Sequence, residues 1–197
     1  MKKNNMTEAT EFVVFDLEWN IPTTRYRAKN NGVKLKGEII QIGAIKLNQK
    51  LEVMDQFDVF VRPQAYHKML KEITQITEIT NEMLEEGVPF QQAVKMFLDW
   101  CGEDYVFCSW SVNDIIRLEE NMLYYNMEID DLPECYDMHY MFDDQITMDG
   151  RDFALSYAMW KLNIKPKRAH SALNDAINTA SVMRFLDFSS GLEAYAV

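Results

Sequence analysis

The stretch FVVFDLEWN, residues 12–20, begins as an unbroken apolar run and ends in acids. Four large apolar residues in succession, Phe12 to Phe15, suit a central strand buried on both faces, because a strand with one wet face alternates apolar with polar. Asp16 and Glu18 follow two residues apart, so on a continuing strand both side chains leave the same face at its carboxyl end. In open α/β sheets that end is where ligands bind. The pair has a bland alternative, in which the strand frays into a loop and both acids are solvated. Companions elsewhere in the chain have to separate the two.

Outward from this strand, EIIQIGAIKL (38–47) and EVMDQFDVFVRP (52–63) are rich in Ile, Val and Phe and are joined through the polar LNQK, which spells a hairpin. After Pro89 the period changes: Phe90, Ala93, Val94, Phe97, Leu98 and Cys101 keep helical spacing, and Gly102 stops the helix. YVFCSW (105–110) reads as another buried strand, leading into a helix over about 112–126 with Ile115, Ile116, Leu118 and Met122 on its apolar side. CYDMHYMF (135–142) reads as a short strand passing into a helix. The spans 152–163 and 171–187 are the last helices, the latter with Leu173, Ala176, Ile177, Ala180 and Met183 facing inward. The order predicts an α/β sheet with helices on its faces, in a single domain over 1–197 with its core at about 11–188. ITQITEIT (73–80) is too short to be an architectural repeat.

Three further acids or bases stand where such a sheet delivers side chains to one edge. Asp114 opens the helix after YVFCSW; Ser111 and Asp114 also have the spacing of a capping-box variant, and an acid in a first turn suits the helix dipole. Asp175 is explained equally well by the dipole of the last helix. His170 precedes that helix beside Ser171, a possible cap, and a lone histidine is more often a surface residue than a catalyst. His67 and His139 have no acidic constellation around them. Taken one at a time these residues are ordinary. Together Asp16, Glu18, Asp114 and Asp175 supply four carboxylates at strand ends and helix starts, the oxygen donors that hard cations such as magnesium and manganese require.

Bulk composition bounds the rest. With 197 residues, 48% hydrophobic, the chain can bury a substantial core. It carries no apolar run approaching the ~18 residues of a membrane span, and its first eleven residues lack a secretory signal's apolar centre, so a cytoplasmic protein is expected. Cys101, Cys108 and Cys135 lack paired spacing and read as buried thiols. A net charge of -11 argues against a polyanionic partner, yet nine of the twenty Lys and Arg fall in two segments without acids, 20–37 and 161–170.

These motifs, in this order, resemble the DEDD exonucleases of the ribonuclease H-like fold, in the variant with a histidine in the last motif. FVVFDLEWN resembles the first motif, with EIIQIGAIKL after it; SWSVNDIIRL resembles the second, with Asp114 and Leu118; AHSALNDAINTA resembles the third, with His170, Ala172, Leu173 and Asp175. The resemblance implies a mixed five-stranded sheet, its first three strands a meander and the rest parallel. It implies two divalent cations, Mg2+ or Mn2+, about 4 Å apart, held by Asp16, Glu18, Asp114 and Asp175, with His170 as general base. It also implies 3′-to-5′ cleavage of single-stranded RNA or DNA with release of nucleoside 5′-monophosphates. Proofreading-type members carry Asn where this chain has Trp110, so the Eri-type branch, and RNA, are the expected assignment; Gln41 stands where relatives often have Glu. Arg25, Arg27 and Lys29, with Lys165, Lys167 and Arg168, are expected to grip substrate phosphates. The competing readings are a DNA-directed proofreading or repair enzyme, a nucleic-acid- or protein-binding module without turnover, and glycoside hydrolysis by paired acids, which gives His170 and Asp175 no role.

Overall fold

A computed structural model describes residues 11–22 and 27–197. The opening strand, β1 (Glu11–Asn20), is central in a five-stranded sheet. On one side it pairs antiparallel with β4 (Glu38–Leu47), which pairs antiparallel with β5 (Val53–Phe60). On the other it runs parallel to β6 (Tyr105–Ser109), and β6 runs parallel to β7 (Cys135–Asp137). The expected meander followed by parallel strands is the observed topology. A two-stranded ribbon, β2 (Lys29–Asn30) and β3 (Val33–Lys34), lies outside it.

Burial on both faces explains the apolar runs. Phe12 and Val14 face a core completed by α5 (Met138–Phe142), α6 (Leu155–Lys161) and α7 (Ala172–Met183). Val13, Phe15 and Leu17 face another, completed by α3 (Phe90–Cys101) and α4 (Val112–Tyr124). α3 ends at Gly102, whose N–H still bonds the Leu98 carbonyl while its φ of +88° turns the following chain out of the helix. Two inward assignments need correction: Ile116 is 45% exposed, and Leu173 is only half-buried and joins neither core, while Ile177 packs against the first core as expected and Ala172, Thr179 and Val182 are inside. Helix α1 (Lys71–Thr77) takes up the first part of ITQITEIT, α2 (Asn81–Glu85) follows directly after it, and a π-helical turn spans Asp143–Thr147.

Glu38, at the start of β4, is 1% exposed, so water does not solvate its charge. Its carboxylate instead accepts from the backbone N–H groups of Gln64 (2.6 Å), Ala65 (2.9 Å) and Tyr66 (2.6 Å) and from the Tyr125 hydroxyl. Asn20 holds the next residues, donating to the Tyr66 and Lys68 carbonyls and accepting from Leu70 N–H. These two side chains aim α1 across the end of the sheet. Removing the buried acceptor strands several donors, so Glu38→Ala is expected to destabilise by about 3 kcal/mol, read as a lowered urea midpoint with an unchanged slope.

Candidate active site

Along β1, Asp16 pairs with Gly43 of β4 and Glu18 with Gln41, so these four positions share a face of the sheet. That face receives α7. A Cβ on Gly43 would lie 2.0 Å from Leu173 N and 2.3 Å from the Ala172 carbonyl carbon, so the helix start rests on the strand backbone directly opposite Asp16. Gln41 completes the docking: its Oε1 accepts from Ala172 N–H (3.1 Å) while its Nε2 donates to Asp58 Oδ1 (2.7 Å). Gln41 thereby takes one orphan donor of the helix start, and Ser171, the possible cap, makes no side-chain capping bond. Gly43→Ala is expected to push α7 off the strand at a cost of about 3 kcal/mol, seen as a Tm fall together with loss of any activity that needs the helix start.

The turn before α7 is fixed by its own side chains. His170 has φ +61°, a left-handed conformation that histidine tolerates better than most residues but at some cost. Asp175 holds it there, Oδ2 accepting from His170 N–H at 2.7 Å and Oδ1 accepting from Asn178 Nδ2 at 3.2 Å. Asn178 also accepts from Lys167 N–H and donates to the Lys167 carbonyl. Ring or carboxylate atoms of Glu18, His170 and Asp175 consequently lie within 4.8 Å of one another.

Asp114 arrives from the other side. Ser111 caps α4 by accepting from Asn113 N–H (3.1 Å), leaving Asp114 for another partner. Its Oδ1 accepts from Leu17 N–H at 3.2 Å, beyond the last β1–β6 pair, Val14–Cys108. A register shift between Glu18 and Trp19, where β4 carries the extra residue Ile40, bends the strand beside the acids.

All five residues line one cleft of about 820 Å³ at the carboxyl end of β1 and β6. Ile73, Ile76 and Thr77 of α1, together with Trp19, Trp110, Leu155 and Met159, form its largely apolar walls. Burial comes first among the forces on its acids, and mutual repulsion adds to it. Asp16 is pushed well above the usual carboxylate range by burial and by Asp114, Asp175 and Glu18. Burial, then Asp175 and Asp114, raise Glu18 to about 8, against a lowering pull from Arg168. Burial carries Asp114 to about 7 despite the Leu17 N–H bond, and raises Asp175 despite the His170 N–H bond. A set of crowded carboxylates of this kind favours cation binding.

The basic residues divide. Lys167 and Arg168 line the cleft. Arg168 also donates to the Thr77 carbonyl (2.7 Å) and to Glu78, tying the His170 turn to the end of α1. Lys165, Arg27 and Lys29 are not part of the cleft lining, and Arg25 lies outside the described residues. Lys29 sits in the ribbon whose Asn30 donates to the Tyr124 carbonyl (2.7 Å), at the opposite end of α4 from Asp114, about 15 Å of helix away. His139 accepts from Phe153 N–H (2.9 Å) and packs edge-on to Trp110, a structural placement. Gln41, Gly43 and Asn178 are the positioning residues that motif reading passed over. The signal for the first two is a polar residue and a glycine inside a strand otherwise buried on both faces.

A profile of the RNase_T exonuclease family matches residues 13–183. A DNA polymerase III of PolC type from Thermotoga maritima is 28% identical over 151 residues, which are 76% of this chain and 11% of that protein. A Bacillus subtilis protein named "Probable 3'-5' exonuclease KapD" is 25% identical over 113 residues, 57% of this chain and 53% of that one. The chain thus spans about a tenth of the one relative and about half of the other. Among solved structures, the nuclease domain of 3'hExo, described as a DEDDh family member bound to rAMP, superposes with a TM-score of 0.80 at 18% identity, covering 97% of this chain and 98% of that one.

Proposed function

Because this chain belongs to the RNase_T exonuclease family, we propose that it hydrolyses phosphodiester bonds at the 3′ end of single-stranded nucleic acid, RNA in the first instance, releasing nucleoside 5′-monophosphates. The observation that carries this reading is the convergence of Asp16, Glu18, Asp114, Asp175 and His170, from three distant segments, on one cleft.

The donor set fits hard divalent cations: several carboxylates, crowded and partly desolvated, with three donor groups already within 4.8 Å of one another. We assign Asp16, Glu18, Asp114 and Asp175 as the residues that hold Mg2+ or Mn2+, two ions by family resemblance. Bound there, the ions supply positive charge against the carboxylates and against charge developing on the scissile phosphate. His170, exposed at the cleft mouth near Glu18 and Asp175, takes a proton from the attacking water, a task suited to an imidazole near neutral pH. The apolar walls from α1, Trp110 and α6 enclose the terminal nucleoside, and Lys167 and Arg168 face its phosphate. Arg25, Arg27, Lys29 and Lys165 remain candidates for contacts further along the strand. The three buried thiols suit a reducing compartment such as the cytoplasm; among the described residues no helix is long and apolar enough to cross a membrane.

The test is digestion of matched 5′- and 3′-labelled RNA and DNA 12-mers with and without Mn2+. A ladder shortening from the 3′ end, dependent on the ion and slowed 10²- to 10⁴-fold in His170→Ala, is the expected outcome. Internal cuts, or release from the 5′ end, would overturn it. The similarity to PolC-type polymerases favours a second reading, a DNA-directed enzyme using the same residues; faster digestion of the DNA strand would select it.

A further inference from the structure

Beside the cleft, α6 turns an aromatic side to solvent. Ser156 lines the cleft, and Trp160 stands one turn further along the same side of the helix. The residue is 75% exposed, unusual for one with so much apolar surface. It is not isolated. Trp160 meets Tyr157 at 5.7 Å between ring centroids, and Tyr157 stacks on Phe153 at 4.3 Å with the rings 10° apart. The Phe153 carbonyl in turn accepts from Trp110 Nε1 (3.1 Å), so the aromatic row is fastened to the cleft wall. The segment after Trp160 carries exposed Lys161, Lys165 and Lys167 and meets no acid before Asp175. Asp149, an acid that senses Lys161, is engaged by Arg151.

We propose that Trp160 is a stacking platform for single-stranded nucleic acid leaving the cleft. A base upstream of the 3′ end lies on its indole, and neighbouring phosphates lie along Lys161 and Lys165, outside the cleft lining. Two features select this occupant. The aromatic row is continuous with the proposed substrate cleft, and the neighbouring charge is positive in a chain whose net charge is -11. Aromatic faces accept any base, so such a platform adds affinity without demanding sequence. The inference rests on the exonuclease reading of the cleft and extends it to strand length.

Steady-state kinetics of the full chain on a dinucleotide and a 12-mer with the same 3′ end test it. Trp160→Ala is expected to raise KM for the 12-mer about tenfold more than for the dinucleotide, the order of one stacked base, and Trp160→Phe to recover most of that difference. An equal effect at both lengths, or none at either, overturns the platform. Anisotropy of a labelled 12-mer separates this from failure of the exonuclease reading. If the wild type binds the 12-mer but releases no nucleotide, weaker binding by Trp160→Ala keeps the platform while the activity assignment falls. No binding by wild type, or equal binding by Trp160→Ala, rejects the platform whatever the activity.

Discussion

Asp16→Asn is expected to lower kcat by a factor on the order of 10³ and, in metal-free buffer, to raise the Tm. Both effects come from one position. Asp16 lies opposite Gly43, where α7 begins, and burial together with the repulsion of Asp114, Asp175 and Glu18 opposes its charge. Asparagine keeps the side-chain size and removes the charge, so the fold gains while the cleft loses an anionic oxygen needed for a cation. Parallel kinetics and calorimetry check it. Unaltered turnover would remove Asp16 from the chemistry, and a fall in Tm would show that the carboxylate is stabilised by something other than a cation.

Without divalent ions the protein is expected to become less stable as pH rises from about 5 to about 8.5. Glu18 rises from an ordinary value of 4.5 to about 8, and Asp114 from 3.8 to about 7, while Asp16 and Asp175 move the same way. In each case the folded state holds its proton more tightly than the unfolded chain. The favourable contribution is complete below the unfolded values and is lost as pH climbs through the folded ones. Acids with lowered values, such as Asp143 and Asp149, titrate below this window. Discounting for the partly exposed Glu18, the cluster amounts to about 3 kcal/mol, a Tm difference of roughly 10 °C for a chain of this size. Millimolar Mn2+ is expected to restore the loss, and more at pH 8.5 than at pH 5, because it competes with protons for the same oxygens. A Tm that rises with pH in metal-free buffer contradicts the electrostatic description.

The sheet and its face assignments were legible because burial on both sides writes unbroken apolar runs such as Phe12–Phe15, and α3 because Phe90 to Cys101 keep one stripe up to Gly102. The site was legible as a set of motifs, whereas the means of assembling it were not. Gln41 looked like a departure from a family pattern, and only the β1–β4 register reveals that it holds Ala172 N–H while Gly43 admits the helix opposite Asp16. Ser111 and Asp114 had capping-box spacing, yet Asp114 spends its Oδ1 on Leu17, a contact 97 residues away that local spacing cannot encode. The helices α1 and α2 were hidden because short, half-exposed segments carry too little periodicity to read. Lys29 was expected to grip substrate phosphates, but Glu38, Asn121 and Tyr66 anchor the chain between it and β4 toward the far end of α4 from Asp114.

The central claim is that these carboxylates form a divalent-cation centre, and anomalous diffraction from crystals soaked in Mn2+ locates such ions directly. The account predicts anomalous density at the carboxyl end of β1, between the oxygens of Asp16, Glu18 and Asp175, and its loss in Asp16→Asn. Density confined to other acids of the surface, or none in this cleft at millimolar Mn2+, contradicts it.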